Sequence, residues 1–351
     1  MQGDIFMKID LNYTLDVLEK LLNTPSPTGY TKKAIKLIMR ELDKMNIPYK
    51  LINKGGLVAT FQGENNEQQR TVSGHVDTLG AMVREIKSNG TLRLTNLGGY
   101  MWNSVEGEYC TIITDKENEI TGTIMTSSPS THVYEDAKTI GREEKNMEVR
   151  IDAVVNNADD VRALGIENGN FVYFDPRFSK TDHGFIKSRH LDDKASVAVI
   201  LGVFKSFIDN NIKLPYTTNI FITNYEEVGH GASYGTPEKT VEFLAVDMGC
   251  VGGGLQGSEQ KVSIAAKDSS GPYDYELRLK LQELAKENDV DFCIDIFPFY
   301  GSDASAALRA GTNIKHALIG PGVHASHAWE RTHEDGLKNT YSLLYHYLLS
   351  K

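Results

Sequence analysis

Apolar residues recur at helical spacing near the start of the chain. Leu15, Val17, Leu18, Leu21 and Leu22 form one stripe, and Ala34, Ile35, Leu37, Ile38 and Leu42 form another. They predict helices over 13–22 and 30–45, parted by the breaker Pro25-Ser26-Pro27-Thr28-Gly29. Strands are expected at 49–52 and 57–61, then a charged hairpin over 64–70 and the segment Thr71-Val72-Ser73-Gly74-His75-Val76-Asp77. From about 86 to 180 the pattern changes to short alternating runs (92–95, 109–114, 120–125, 148–154, 170–174), separated by turn signals such as Ser88-Asn89-Gly90 and Glu167-Asn168-Gly169. Beyond 181 long helical stripes and apolar strands resume. Residues 195–208 are apolar almost all round, which predicts a helix buried in the core rather than lying on a surface. Apolar strands at 219–223, 241–247, 263–266, 291–297 and 315–319 follow, with helices at 273–288 and 336–349. The pattern predicts an α/β domain, residues 1–85 and 181–351, with a mixed central sheet flanked by helices. A small all-β module, 86–180, is inserted into it.

The polar positions become informative where these runs end. Asn219-Ile220-Phe221-Ile222-Thr223 delivers Glu226-Glu227-Val228-Gly229 to the carboxyl end of a buried strand, where open α/β sheets keep their chemistry. His75 and Asp77 stand two apart, so both would project the same way, and an imidazole that binds a metal usually gives its other ring N–H to a carboxylate. Asp192, Asp193 and Lys194 open the buried helix, and two acids with a lysine exceed what a helix cap requires. Asp247 closes another strand, and His324, His327 and His333 cluster after the last one. Taken singly, each has an ordinary reading as a solvated loop, a cap or a surface histidine. Together, so many acids cannot share a cleft without a cation, because each would raise its neighbours' pKa. Mixed imidazole and carboxylate ligation suits zinc, cobalt or manganese, and a pair of such ions bridged by one carboxylate serves hydrolysis.

Composition narrows the alternatives. The 351 residues carry a formal charge of −10, which leaves no basic surplus for a nucleic-acid backbone. Hydrophobic content of 40% and charged content of 24% are those of a globular protein, and no run approaches the ~18 apolar residues of a membrane span. The N-terminus shows no export signal, and Met7 is read as the native start, with residues 1–6 an appended remnant. Cys110, Cys250 and Cys293 are scattered and odd in number, which predicts reduced thiols and a cytoplasmic location.

His-Val-Asp (75–77), Ser-Arg-His-Leu-Asp-Asp-Lys (188–194), Glu-Glu-Val-Gly (226–229), Val-Asp-Met-Gly (246–249) and Gly-Ser-Asp-Ala (301–304) occur in an order that resembles the glutamyl-aminopeptidase/TET family of dinuclear-zinc metallopeptidases. The resemblance covers almost the whole chain and implies a zinc-peptidase-like fold whose β insertion is PDZ-like and serves dimerisation. It implies an aminopeptidase that takes the first residue from short peptides and assembles as a homo-oligomer, a tetrahedral dodecamer. By the same resemblance His75 and Asp247 bind one metal, Glu227 and His327 the other, and Asp192 bridges them. Asp77 orients His75, and Glu226 is the general base. The chain departs from the family at the last histidine, where a His-Ser or His-Thr pair is usual. His327 is preferred for its place before the closing helix and for nearby Glu330, with His324 kept as the alternative. His230 also replaces an aliphatic residue. A deacylase or carboxypeptidase-like hydrolase would use the same metals. A polysaccharide hydrolase would need two carboxylates and no metal.

Overall fold

The apolar, β-branched runs come together as the middle of a 13-stranded mixed sheet in a computed structural model that describes residues 9–351. The expectation about Met7 and residues 1–6 lies outside the described residues. Leu214–Thr223, Gly63–His75, Thr240–Val246 and Lys315–His324 lie side by side and parallel. Leu57–Phe61 flanks them antiparallel on one side, and Val262–Asp268 does so on the other. Four adjacent parallel strands have their carboxyl ends at one edge, so the residues that follow each strand meet there.

Alternation along these strands feeds two cores. Ile220, Ile222, Leu244 and Val246 face the buried helix Leu191–Asp209, together with the helices Leu11–Leu22, Lys32–Lys44 and Glu334–Leu349. Phe221, Phe243 and Ala245 point the opposite way and pack with Ala304 and Ala307 of the helix Asp303–Arg309. Every residue from Leu191 to Phe204 is buried, as the unbroken apolar run predicts. Gly74 lets that helix close onto the sheet, since a Cβ there would stand 3.1 Å from Asp193 Oδ2 and 3.2 Å from Ile200 and Val197.

The β insertion closes on itself. Gly80–Ile86, Leu92–Leu97, Tyr109–Ile113, Glu119–Thr126, Met147–Ile151 and Phe171–Phe174 form a six-stranded barrel around Val83, Leu94, Ile112, Ile124, Val149 and Val172. Its first strand starts at Gly80 rather than 86. The return segments Ser179–Lys180 and Phe185–Lys187 already belong to the large sheet.

Two local expectations change. The charged stretch 64–70 is no hairpin but part of the single strand Gly63–His75, whose pairing with Leu214–Thr223 jumps between Asn65 and Arg70. The Asn65 side chain accepts the amides of Glu67 and Gln68 at 2.9 and 3.2 Å, so a local polar bulge forms while both flanks keep the same neighbour. The helix Asp303–Arg309, unmarked by any apolar stripe, is set by a capping box between Ser302 and Ser305. The three cysteines are free, Cys110 and Cys293 buried and Cys250 half-buried. Among the described residues no helix is long and apolar enough to cross a membrane.

Candidate metal centre

His75 ends its strand with both its backbone and its ring fixed. Its N–H donates to Asp193 Oδ2 at 3.1 Å, and its Nδ1 lies 2.9 Å from the carbonyl oxygen of Asp77. A carbonyl only accepts, so Nδ1 carries a proton and Nε2 is the nitrogen turned toward the site. That Nε2 stands 3.0 Å from Asp192 Oδ1 and 3.6 Å from Glu226 Oε2. His327 repeats the arrangement. Its Nδ1 lies 2.6 Å from the carbonyl oxygen of Gly99, and its Nε2 is 3.3 Å from both Asp192 Oδ2 and Glu227 Oε2. Asp192 thus presents one oxygen to each imidazole.

The two glutamates do not lie on the strand. Leu214–Thr223 stops short, Tyr225 takes a left-handed φ of 72°, and Glu226–Val228 forms a 3₁₀ turn. Asp77 holds this turn. Its carboxylate accepts the amides of Glu226 and Glu227 at 3.2 and 3.4 Å and the Thr28 hydroxyl at 2.7 Å. The carboxylate itself stands 3.7 Å from His75 Nδ1, so the ring is oriented by the Asp77 main chain. Asp247 follows its strand directly, with Oδ1 accepting the Met248 amide at 2.7 Å.

Three acids that carry no expected role in the sequence hold the same framework. Glu330 accepts the amide of Asp192 on one oxygen (3.2 Å) and that of His327 on the other (3.0 Å). Asp303 takes the Thr223 hydroxyl at 2.6 Å and the Ala232 amide at 2.8 Å. Asp193 supports His75 and leaves its Oδ1 buried without a partner. In the sequence Glu330 stands out only for being near His327, and Asp303 and Asp193 only as parts of matching motifs. The partners of all three are mostly backbone amides, which leave no mark in a sequence.

The remaining candidate histidines, His324, His333 and His230, stand apart. His324 is exposed at the end of its strand, and the ring of His333 receives the Asp335 amide and meets the His183 carbonyl oxygen. His230 is exposed and stacks on Tyr225 with ring centroids 5.1 Å apart.

The charge balance of the site asks for a cation. Ligand atoms of His75, Asp192 and Glu227 lie within 4.8 Å of one another, as do those of His75, Asp193 and Asp247. Burial, then the nearby carboxylates, push Glu227 up to about 8 and Asp247 up to about 7. Burial and then Asp247 also raise Glu226 and Asp193. Burial disfavours ionised Asp192 too, but hydrogen bonds from His327 and His75 hold it below the usual carboxylate range. Burial works against protonated His327, yet Glu227 and Asp192 push it up to about 11. An Nε2 aimed at a carboxylate needs a proton or a metal ion between the two, and the mixed donor set suits zinc, cobalt or manganese. The groups border a cleft of about 360 Å³ whose walls include Met248, Phe299, Tyr300, Ser302 and Arg309.

Similarity to known proteins extends over almost the whole chain. The model of the M42 glutamyl aminopeptidase family matches residues 55–343. The chain is 49% identical over 337 residues to the protein named "Putative aminopeptidase YhfE" of Bacillus subtilis, covering 96% of this chain and 97% of that one. It is 27% identical over 197 residues to glutamyl aminopeptidase of Lactococcus lactis, covering 55% and 54%. Among solved structures, the TET1 peptidase of Pyrococcus horikoshii, described as able to assemble into a tetrahedron or a large octahedral shell, superposes with a TM-score of 0.85 at 23% identity, covering 96% of this chain and 100% of that one.

Proposed function

This chain belongs to the M42 glutamyl aminopeptidase family, and on that premise we propose that it removes the N-terminal residue of short peptides with the help of two divalent cations, zinc before cobalt or manganese. The observation that carries the reading is Asp192, whose two carboxylate oxygens each face the Nε2 of a different histidine. His75 and Asp247 would hold one cation, His327 and Glu227 the other, and Asp192 both. Asp193, close to the first group, is a further candidate donor there. Bound cations would polarise the scissile carbonyl and acidify water. Glu226 would take the proton of the attacking water and return it to the leaving amine. Burial suits it to that work by raising its proton affinity. Asp77 keeps Glu226 and Glu227 in register by holding their amides. The carboxylates left over at the cleft would receive the free α-amine of the substrate, which limits cleavage to the first residue.

The assembly is read as a homo-oligomer, with a tetrahedral dodecamer as its form and the barrel as the dimerisation element. Exposed apolar residues on the barrel support that, Val133 and Val154 being 72% and 97% exposed. Asp192→Asn tests the metal reading. Elemental analysis should find both cations lost and aminoacyl-anilide hydrolysis abolished. A fully loaded, active Asp192→Asn enzyme would refute it.

A further inference from the structure

The ring of His327 is oriented from another part of the fold. Gly98 and Gly99 follow the barrel strand Leu92–Leu97, and the carbonyl oxygen of Gly99 receives Nδ1–H of His327 at 2.6 Å. Gly98 adopts a φ of +78°, and a Cβ on it would come within 2.4 Å of Leu79 and 3.5 Å of both Cβ and the carbonyl oxygen of Glu227. The barrel turn therefore packs close to Glu227 as well as bonding His327. A second link runs beside it. Arg189, 6% exposed, donates to the carbonyl oxygen of Ala328 at 3.0 Å and to that of Ser104 in the barrel, and pairs with barrel residue Glu108 at 3.3 Å. Ala328 is the residue after His327. By contrast, the ring of His75 is held by Asp77 and its backbone by Asp193, both outside the barrel.

We infer that the inserted barrel is a positioning element of the metal centre: the Gly98–Gly99 turn and the Arg189–Glu108 pair hold His327 and Glu227, so the seating of the barrel sets how tightly this half of the site binds its cation. The inference rests on the two-cation reading above. It gives the barrel a task inside each subunit, separate from any contact between subunits. Groups that orient a metal-bound histidine typically change metal affinity 10–100-fold when removed. A carbonyl that dictates which ring nitrogen is protonated does so whether or not the cation is bound.

Gly98→Ala and Arg189→Lys test it, with Val161→Ala in the barrel's own core as the control. Gly98→Ala forces a side chain into a left-handed turn against Leu79. Arg189→Lys keeps the charge facing Glu108 but lacks the fork that reaches Ser104 and Ala328 together. Zinc and cobalt binding to the metal-free protein are titrated against a competing chelator, with circular dichroism confirming the fold. The unmodified chain and Val161→Ala should bind two cations. The two test variants should bind one cation with unchanged affinity and the other about 10–100-fold more weakly. Should Gly98→Ala fail to fold, Arg189→Lys alone decides. Unchanged affinity for both cations in a folded test variant overturns the inference, and so does equal weakening of both. An unmodified chain that binds no cation would overturn the two-cation reading beneath it, and that result is seen before any variant is made.

Discussion

Glu226 and Glu227 are neighbours of one residue type placed in different surroundings. The Glu227 side chain is 2% exposed and lies against His327, whereas that of Glu226 is 14% exposed and faces His75 at 3.6 Å. On the proposed function the first would hold a cation and the second would exchange a proton with water in the cleft. Glu226→Gln preserves shape and removes the base, so metal content should stay at the unmodified level while kcat falls by about 10²–10⁴. Paired elemental analysis and turnover measurements check this, and loss of metal with activity would move Glu226 into the ligand set. The pairing of the two glutamates is legible in the sequence because both follow a buried strand. Which of them does which is not, since only the family resemblance distinguishes them. The preference for His327 over His324 rests on spacing alone. The structure brings His327 to the acids through a left-handed φ of 62°, a conformation that no local sequence signal marks in a histidine.

Among elements, the turns matter more than the strands they follow. Parallel strands bring the chain ends to one edge, but four separate turns must then hold their side chains within a few ångströms, and buried carboxylates hold them by gripping backbone amides. Asp77 grips the Glu226–Val228 turn, Glu330 ties the start of Leu191–Asp209 to His327, and Asp303 steadies the Gly231–Ser233 turn. Asp77→Asn replaces one accepting oxygen by an N–H donor that faces either the Glu226 amide or, turned over, the Glu227 amide and the Thr28 hydroxyl. The turn should shift, and cation affinity together with kcat/KM should fall about 10–100-fold. Glu330→Gln should act in the same direction, because the amides of Asp192 and His327 cannot both be satisfied by one carboxamide oxygen. Both variants are read by chelator competition. If Asp77→Asn leaves metal affinity and kcat/KM unchanged, the carboxylate is dispensable and the main-chain bond to His75 suffices. Strands and the buried helix are readable from alternation and from the apolar run. The polar bulge within Gly63–His75 is hidden because charge at 64–70 looks the same in a hairpin as in a bulged strand. The helix Asp303–Arg309 is hidden because Ala and Ser give it no stripe.

For the molecule as a whole, the site is a store of electrostatic conflict that a cation would relieve, and the conflict sets how stability depends on pH. In the metal-free chain Glu227 is raised to about 8, Asp247 and Glu330 to about 7 and His327 to about 11, burial being the first cause for the acids and Glu227 with Asp192 outweighing burial for the histidine. Unfolded, the carboxyls titrate near about 4 and the imidazole near about 6.5. Between these ranges the folded chain binds more protons than the unfolded one, so stability must fall as pH rises. For the carboxyls the loss begins above about 4 and is complete once pH passes their folded values near 7 to 8. For His327 the stabilisation is fully present below about 6.5 and drains away as pH climbs toward about 11. Asp192, held low, works the opposite way only under strongly acidic conditions. These groups all act in the same direction, so the slope should be visible as a shift in Tm. The metal-free protein should therefore melt at a lower temperature at pH 8 than at pH 5.5. Added zinc should weaken or reverse that trend, because ligation requires the deprotonated groups and grows stronger as pH rises. Scanning calorimetry of the metal-free and zinc-loaded protein across this range measures both slopes, and a metal-free Tm that climbs steadily from pH 5.5 to 8 would show that these buried acids are already ionised without a cation.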